Sequence, residues 1–318
     1  MQQQIIHFLK QSTTHVSGEQ MSEQLHISRA AVWKYIDQLR QEGYEIAAIP
    51  HIGYKLETSP DRLLPHEITY GLKTKFIGHE VFVKESTGST MDDAFGLGMA
   101  GCPDGTIVCA ETQTQGRGRL GRRWVSPKDK GLYFSVVLRP DFALTQMPYM
   151  TLMSAVALAQ AFETTCDLKV SIKWPNDILI GPQKLAGILT EMRAEMDRVN
   201  LVVIGFGINV NSQAQQIGER AISIKMATKK QVDRIALLQK ILERLEFWYA
   251  VLQKKGIKPI LAEWMKYCHA LGQRVRVFVG DHAIEGVAAG LGEDGSLLIR
   301  QSNGKIHKHI AGDVQVLS

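Results

Sequence analysis

Residues 116–124 read Gly-Arg-Gly-Arg-Leu-Gly-Arg-Arg-Trp, directly behind the apolar run Gly105 to Thr112. Gly116, Gly118 and Gly121 satisfy the G-x-G-x-x-G spacing of a dinucleotide-binding turn, and Asp141 stands at a suitable distance beyond them. In a doubly wound fold a helix must open at the third glycine, so that its N-terminus faces the pyrophosphate. Here Arg122-Arg123-Trp124-Val125-Ser126-Pro127 leads into Leu132 to Leu138, a second β-branched and aromatic run. Strand follows strand across the glycines, which excludes the doubly wound reading. A P-loop is excluded too, since no GxxxxGK[ST] occurs anywhere. What remains is a flexible loop carrying Arg117, Arg119, Arg122 and Arg123. Planar guanidinium forks suit phosphate and carboxylate, and each such charge-assisted bond contributes about 1.5–3 kcal/mol. A solvated or nucleic-acid-binding basic loop would have the same composition.

Outward from this loop, strands and helices mix without strict alternation. KVSIKW (169–174), LAGILTEM (185–192) and LVVIGFGINV (201–210) predict strands. Helices are predicted from about Pro148 to Thr164, from about Lys230 to Gln253, and from Pro259 through Cys268. The pattern is α+β. In KWPND, Lys173 to Asp177, the proline halts a strand and presents Asn176 and Asp177 at a sheet edge. KLAGIL, Lys184 to Leu189, opens a strand with a lysine followed by small residues that admit a ligand to the backbone. With GFGIN, Gly205 to Asn209, and the arginine loop, four segments bring cations or amides beside glycines at strand ends. Such convergence suits a polyphosphate or acyl phosphate.

The flanks differ in character. Residues 1–60 predict a winged helix-turn-helix. A short apolar helix holds Ile5, Ile6, Phe8 and Leu9, and a second helix is capped by Ser17, with Met21 and Leu25 inward. His26-Ile27 make the turn, and a third helix runs from the cap Ser28 to Gly43. Val32, Ile36 and Leu39 form its buried stripe; Ser28, Arg29, Ala30, Trp33 and Lys34 are left to meet DNA. YEIAAIP and GYKLE form the wing around Pro50 to Gly53. Residues 1–60 hold five Lys/Arg and six Asp/Glu, so charge does not separate DNA binding from a protein-docking role. RVRVFV, AIEGVAAGL, SLLIR, KIHKHI and VQVLS, parted by Gly280-Asp281, EDG and NG turns, predict a small SH3-like barrel from 271 to 318. The expected domains are 1–62, 63–270 and 271–318.

A chain of 318 residues exceeds what one core usually holds, in agreement with that division. The formal charge of +5 permits anionic partners without demanding one. The N-terminus lacks the basic segment and apolar core of a secretory signal, and no apolar run reaches the ~20 residues of a membrane span. Cys102, Cys109, Cys166 and Cys268 have no zinc or CxxC spacing and read as reduced thiols of a cytoplasmic protein.

GST (Gly88 to Thr90), GRGRLGRRW, KWPND, KLAGIL and GFGIN, in this order, resemble the biotin–protein ligases, and the amino-terminal winged helix matches their bifunctional subgroup, the bacterial biotin operon repressors. The resemblance covers essentially the whole chain. It implies a central domain related to class II aminoacyl-tRNA synthetases that makes biotinyl-5′-AMP from biotin and ATP, with Mg2+ on the nucleotide. Biotin then passes to a lysine of the biotin carboxyl carrier protein. Carried over by motif, Ser89, Thr90 and Gln113 would hold the ureido end of biotin, with Met91 where the family usually has Asn. Gly116, Arg117, Gly118 and Arg119 would close over the ligand. Arg122, Trp124, Lys173, Asn176 and Asn209 would face the nucleotide, and Lys184 would bind the biotin carboxylate or α-phosphate. Arg119, Lys184 and Lys173 would be the catalytic cations, and the role of Asp177 stays open. No protein metal site is implied. The family further implies a homodimer on operator DNA of biotin genes with biotinyl-5′-AMP as corepressor. A lipoate or octanoate ligase and a purely ligand-sensing regulator are the rival readings.

Overall fold

The computed structural model describes residues 1–195, 198–279, 282–310 and 312–317. The chain divides into two compact units, Met1–Arg62 and Leu63–Ser318. In the first, α1 (Gln2–Gln11), α2 (Gly18–Leu25) and α3 (Arg29–Gln41) precede the antiparallel wing, β1 (Glu45–Ile49) and β2 (Gly53–Thr58). The caps are those expected from the sequence: Ser17 Oγ accepts from Gln20 N at 3.0 Å, and Ser28 Oγ from Ala31 N at 3.1 Å. His26 ends α2 in the left-handed region at φ 53°. Ile5, Ile6, Leu9, Met21, Val32, Ile36 and Leu39 are buried, whereas Phe8 and Leu25 are only half-buried. Arg40 grips the root of the wing, donating to Ile46 O at 2.6 Å from Nη2.

The second unit runs α4 (Pro65–Thr69), β3 (Val81–Thr87), α5 (Thr90–Met99), β4 (Ile107–Gln113), β5 (Gly131–Leu138), α6 (Met147–Cys166), β6 (Ser171–Lys173), β7 (Asp177–Ile180), β8 (Gln183–Glu195), β9 (Arg198–Asn209), α7 (Ala214–Ile217), α8 (Ile224–Thr228), α9 (Arg234–Lys255) and α10 (Lys258–Lys266). Strands β10 (Arg274–Val279), β11 (His282–Leu291), β12 (Leu297–Arg300), β13 (Ile306–His309) and β14 (Asp313–Val316) form the expected SH3-like antiparallel sheet. The Gly280-Asp281 turn lies outside the described residues. Seven strands make one mixed sheet, ordered β3-β4-β5-β9-β8-β7-β6, with β3 and β4 parallel. Strands β3 and β7 and helix α5 have no counterpart in the sequence reading. α5 is glycine-rich (TMDDAFGLGM), which weakens its helical signal, and β7 has only four residues.

Alternation along the strands decides what the sheet faces. On β9, Val202, Ile204, Phe206 and Ile208 pack into the large core beneath α6 and α9, while Leu201 and Val203 pack under α5 with Met91, Ala94 and Val137. By the same period Gly205, Gly207 and Asn209 share the α5 side. α5 begins at Thr90, and the sheet surface around these residues lines an open cleft. That is where the chemistry-bearing segments meet.

Burial holds two histidines below the usual 6.5. Lys173 adds positive charge beside His269, and His307 beside His309. Folded, they stay neutral where the unfolded chain takes up protons, so they favour folding fully above pH ~6.5 and progressively less as pH falls below it. The melting temperature of the second unit is therefore expected to drop between about pH 7 and pH 5, and the drop should be smaller in a His269→Gln/His309→Gln chain. Equal pH dependence of the two chains by calorimetry would contradict this.

Candidate active site

Gly187 on β8 faces Gly207 on β9 across the ladder, and Gly205 lies two residues further back. A Cβ at Gly207 would fall 2.6 Å from Trp124 Nε1, and one at Gly187 would fall 3.2 Å from Trp124 Cζ3 and 3.1 Å from Lys184 Nζ. The clearance expected for a ligand is thus occupied by the indole of the arginine loop, packed against the glycines. Gly205 gives the same clearance to Met91, whose Cγ would be 2.9 Å from an added Cβ. Trp124 Nε1 is buried and, among the described residues, has no hydrogen-bond partner. A polar atom left so is ready for an acceptor from a ligand.

The loop itself is a tight hairpin. Trp124 N donates to Gly116 O at 2.8 Å and Gly118 N to Arg122 O at 2.7 Å. Arg119–Gly121 form a 3-10 turn, with Leu120 at φ 57° and 82% exposed. Ser89, Thr90, Met91, Gln113, Arg117, Gly118, Arg119, Arg122, Trp124, Lys173, Asn176, Lys184 and Asn209 all line one cavity of about 580 Å³. Gly116 does not. It backs the loop, where a Cβ would strike Trp124 O at 2.7 Å.

At one end, Ser89 caps α5 and Thr90 Oγ1 lies 2.8 Å from Ser135 Oγ. Gln113 Oε1 accepts from Thr90 N at 2.9 Å, and Gln113 Nε2 donates to Ser126 Oγ at 3.2 Å. This gathers hydroxyls and an amide on a fixed frame. At the centre, Lys184 Nζ pairs with Asp177 Oδ1 at 2.7 Å and stands 5.4 Å from the centroid of the Trp124 ring. At the far end, Asp313 of β14 accepts from Arg122 Nη2 at 2.7 Å and from Lys173 Nζ at 3.1 Å. Burial pushes the Asp313 carboxyl up, but these two cations outweigh it and hold the group below the ordinary carboxylate range.

Two expectations are corrected. Arg117, expected to close over the ligand, lines the cavity but has its guanidinium on protein carboxylates. Nε and Nη2 meet Glu191 at 3.2 and 3.1 Å, and Nη1 meets Asp92 at 2.7 Å. Asn176 is not held out at a sheet edge but buried. Its Nδ2 donates to Ile188 O at 2.7 Å, and its Oδ1 accepts from Arg119 Nη1 at 3.2 Å. The KWPND turn does lie where expected, between the edge strand β6 and β7.

A frame of hydroxyls, a tethered lysine and an arginine-rich cover over a glycine floor suits a two-part acidic ligand. The Biotin/lipoate A/B protein ligase family matches residues 83–209, an HTH domain residues 1–55, and the Biotin protein ligase C terminal domain residues 270–317. The Bifunctional ligase/repressor BirA of Bacillus subtilis is 39% identical over 97% of this chain and 96% of its own length. The chain belongs to the bifunctional ligase/repressor family of biotin protein ligases. The Escherichia coli BirA is 30% identical over 95% of this chain and 93% of its own. The biotin protein ligase from Aquifex aeolicus in complex with biotin and ATP superposes with a TM-score of 0.65 at 31% identity, covering 75% of this chain and 99% of that one.

In this ligase/repressor the groups that sequence reasoning missed are carboxylates. Asp92 lies in an unread helix, Glu191 in a strand read only for its apolar residues, and Asp313 at the first position of β14 in the small C-terminal sheet. The excess of arginines in one loop was the available signal, since guanidinium groups brought together in a cleft need acidic neighbours.

Proposed function

We propose that the cleft forms biotinyl-5′-AMP and pyrophosphate from biotin and ATP, and that the amine of a lysine of the biotin carboxyl carrier protein then attacks the acyl carbon, forming the amide and releasing AMP and a proton. The observation that carries this reading is the set Lys184, Asp177, Arg119 and Trp124 assembled over the glycine floor of β8 and β9. Ser89, Thr90, Met91 and Gln113 would hold the ureido end; Met91 supplies a thioether packed on Gly205 rather than an amide. Attack of a carboxylate on the α-phosphorus brings two anions together, and fixed cations lower that barrier. Lys184 would stand at the reacting atoms, Arg119 beside it, and Lys173 and Arg122 on the nucleotide side, with Asn176 and Asn209 framing them. ATP supplies the activating phosphoanhydride and would bring Mg2+ on its own oxygens. Gly116 to Arg119 would form the cover, with Arg117 fastening it through Asp92 and Glu191.

Residues 1–62 are assigned to operator DNA of biotin genes, 63–270 to the ligase and 271–318 to the small barrel that lends Asp313. Ser28, Arg29, Ala30, Trp33 and Lys34, all exposed or at the N-cap of α3, would face the bases. With biotinyl-5′-AMP as corepressor the chain would act as a homodimer in the cytoplasm, each recognition helix taking one half-site. Among the described residues no helix is long and apolar enough to cross a membrane.

The test is incubation with biotin, α-labelled ATP and apo carrier domain. Adenylate and biotinylated carrier are expected. Absence of both, or preference for lipoate over biotin, would refute the reading. A Gly207→Ala chain should form adenylate with a KM for ATP raised about 10- to 100-fold, because the added methyl displaces the indole, and base stacking on an aromatic ring is worth about 1–3 kcal/mol. An unchanged KM would show that Trp124 does not meet the adenine.

A further inference from the structure

The inference rests on the DNA-binding reading of residues 1–62 and concerns how that unit reads a duplex. Its six Lys and Arg face seven Asp and Glu. Arg40 is committed to the wing root and Lys55 pairs with Glu57 at 3.2 Å. Lys10 is also engaged. Among the described residues this leaves Arg29 and Lys34, both exposed on α3, as the cations of the helices and wing open to phosphate; Arg62, also exposed, lies beyond the wing at the end of the unit. Two phosphate contacts per winged helix, four in a pair, are few beside the 6–10 that give a steep salt dependence.

The same unit exposes large apolar side chains at the two places that would enter grooves. Trp33 on α3 is 59% exposed and lies at i+4 from Arg29 and i+3 from Ala30, so the three share one helix face. At the wing tip Ile49 and Ile52 are 43% and 54% exposed. Ile52 N donates to Ile49 O at 3.1 Å, closing the turn around Pro50 and His51, and His51 sits at φ 64°. The wing tip, Ile49 to Ile52, thus carries two isoleucines, a proline and no lysine or arginine. A tight, rigid hairpin ending in isoleucines has the shape and chemistry of the wedges that open base steps from the minor groove.

We propose that this ligase/repressor recognises its operator chiefly by apolar contact. Trp33 packs against thymine methyl groups in the major groove, and Ile49 and Ile52 wedge into a deformable step of the minor groove. DNA is favoured over a protein partner because Trp33 shares its helix face with Arg29 and lies beside Lys34, at the cap-exposed start of α3 where phosphates are met.

Each neutralised phosphate contributes about −0.9 to the slope of log K against log salt. One winged helix should therefore give about −2 from its α3 cations and a pair about −4, so raising salt fourfold should cost about 10- to 150-fold in affinity, rising toward about 2,000-fold only if both Arg62 side chains also meet phosphate. The experiment selects a random pool of duplexes with the full chain plus biotin, ATP and MgCl2, and uses the enriched duplex as the probe. Enrichment of thymines and of pyrimidine–purine steps is expected, with a shallow slope. An Ile49→Ser/Ile52→Ser chain should bind at least about tenfold more weakly with the slope unchanged, whereas Lys34→Ala should reduce the slope by about one. Circular dichroism checks that each variant is folded, and Ile52→Met, which keeps an apolar tip, should restore binding to an Ile52→Ser chain. A slope steeper than about −6, or serine variants that bind like the parent, would overturn the apolar mode while leaving the DNA reading in place. So would serine variants that lose self-association at unchanged affinity for a half-site. Failure to enrich any duplex would remove the DNA reading and this proposal with it.

Discussion

Replacing Lys184 by methionine is expected to slow adenylate formation about 100- to 1,000-fold while leaving the fold intact, the usual cost of removing one fixed charge from a crowded transition state. The lysine reaches the cleft through an irregularity of the ladder. Strand β7 pairs Ile178 with Ala186 but Leu179 with Lys184, so β8 carries one extra residue there. By strict alternation Lys184 would share the face of Ala186 and Ile188, which lies against the helical layer. The bulge turns it to the other side, where Asp177 and the Trp124 ring fix its ammonium. Asp177→Asn should have a smaller effect, since the charge remains and only its tether is lost. Rapid-quench measurement of labelled adenylate distinguishes the two, and a Lys184→Met chain with the parental rate would remove this lysine from the chemistry.

The second large effect is on stability. Arg234 is fully buried at the first position of α9 and donates to Glu111 Oε2 at 2.5 Å and to Gly131 O at 3.2 Å. Glu111, itself buried on β4, also accepts from Leu63 N at 2.6 Å. A cation at a helix N-terminus opposes the helix dipole, and burial adds a desolvation cost, so the arginine is tolerated there because the carboxylate meets it. Removing one partner strands the other charge. Arg234→Met or Glu111→Gln alone is expected to cost about 3–5 kcal/mol, lowering the melting temperature by about 6–20 °C. The double variant should recover most of that loss, because no isolated charge is left and glutamine still accepts from Leu63 N. Calorimetry on the four chains of the cycle measures the coupling. Additive losses would show that the pair is not a unit.

The pair links α9, β4 and the entrance to the second unit over more than a hundred residues of sequence, and no local pattern announces it. That distance separates what the sequence by itself determined from what only the tertiary structure decided. Caps, periods and turns are local: Ser17 and Ser28 open their helices, β-branched runs form β4, β5, β8 and β9, and the loop after β4 could be refused a helix from its own next residues. The grouping of the arginine loop with KWPND, KLAGIL and GFGIN was legible for the same reason, since each segment sits at a strand end and strand ends of one sheet converge. The structure alone decided which charges met. Asp92, Glu191 and Asp313 lie 25, 74 and 191 residues from the arginines they hold, taking Arg117 for the first two and Arg122 for the last. Their pairing depends on register, on the side of the sheet that α5 leaves uncovered, and on a single bulge that turns Lys184 over. A period-two pattern states that neighbouring side chains point opposite ways, but which face becomes the cleft is set by the helices packed on the other.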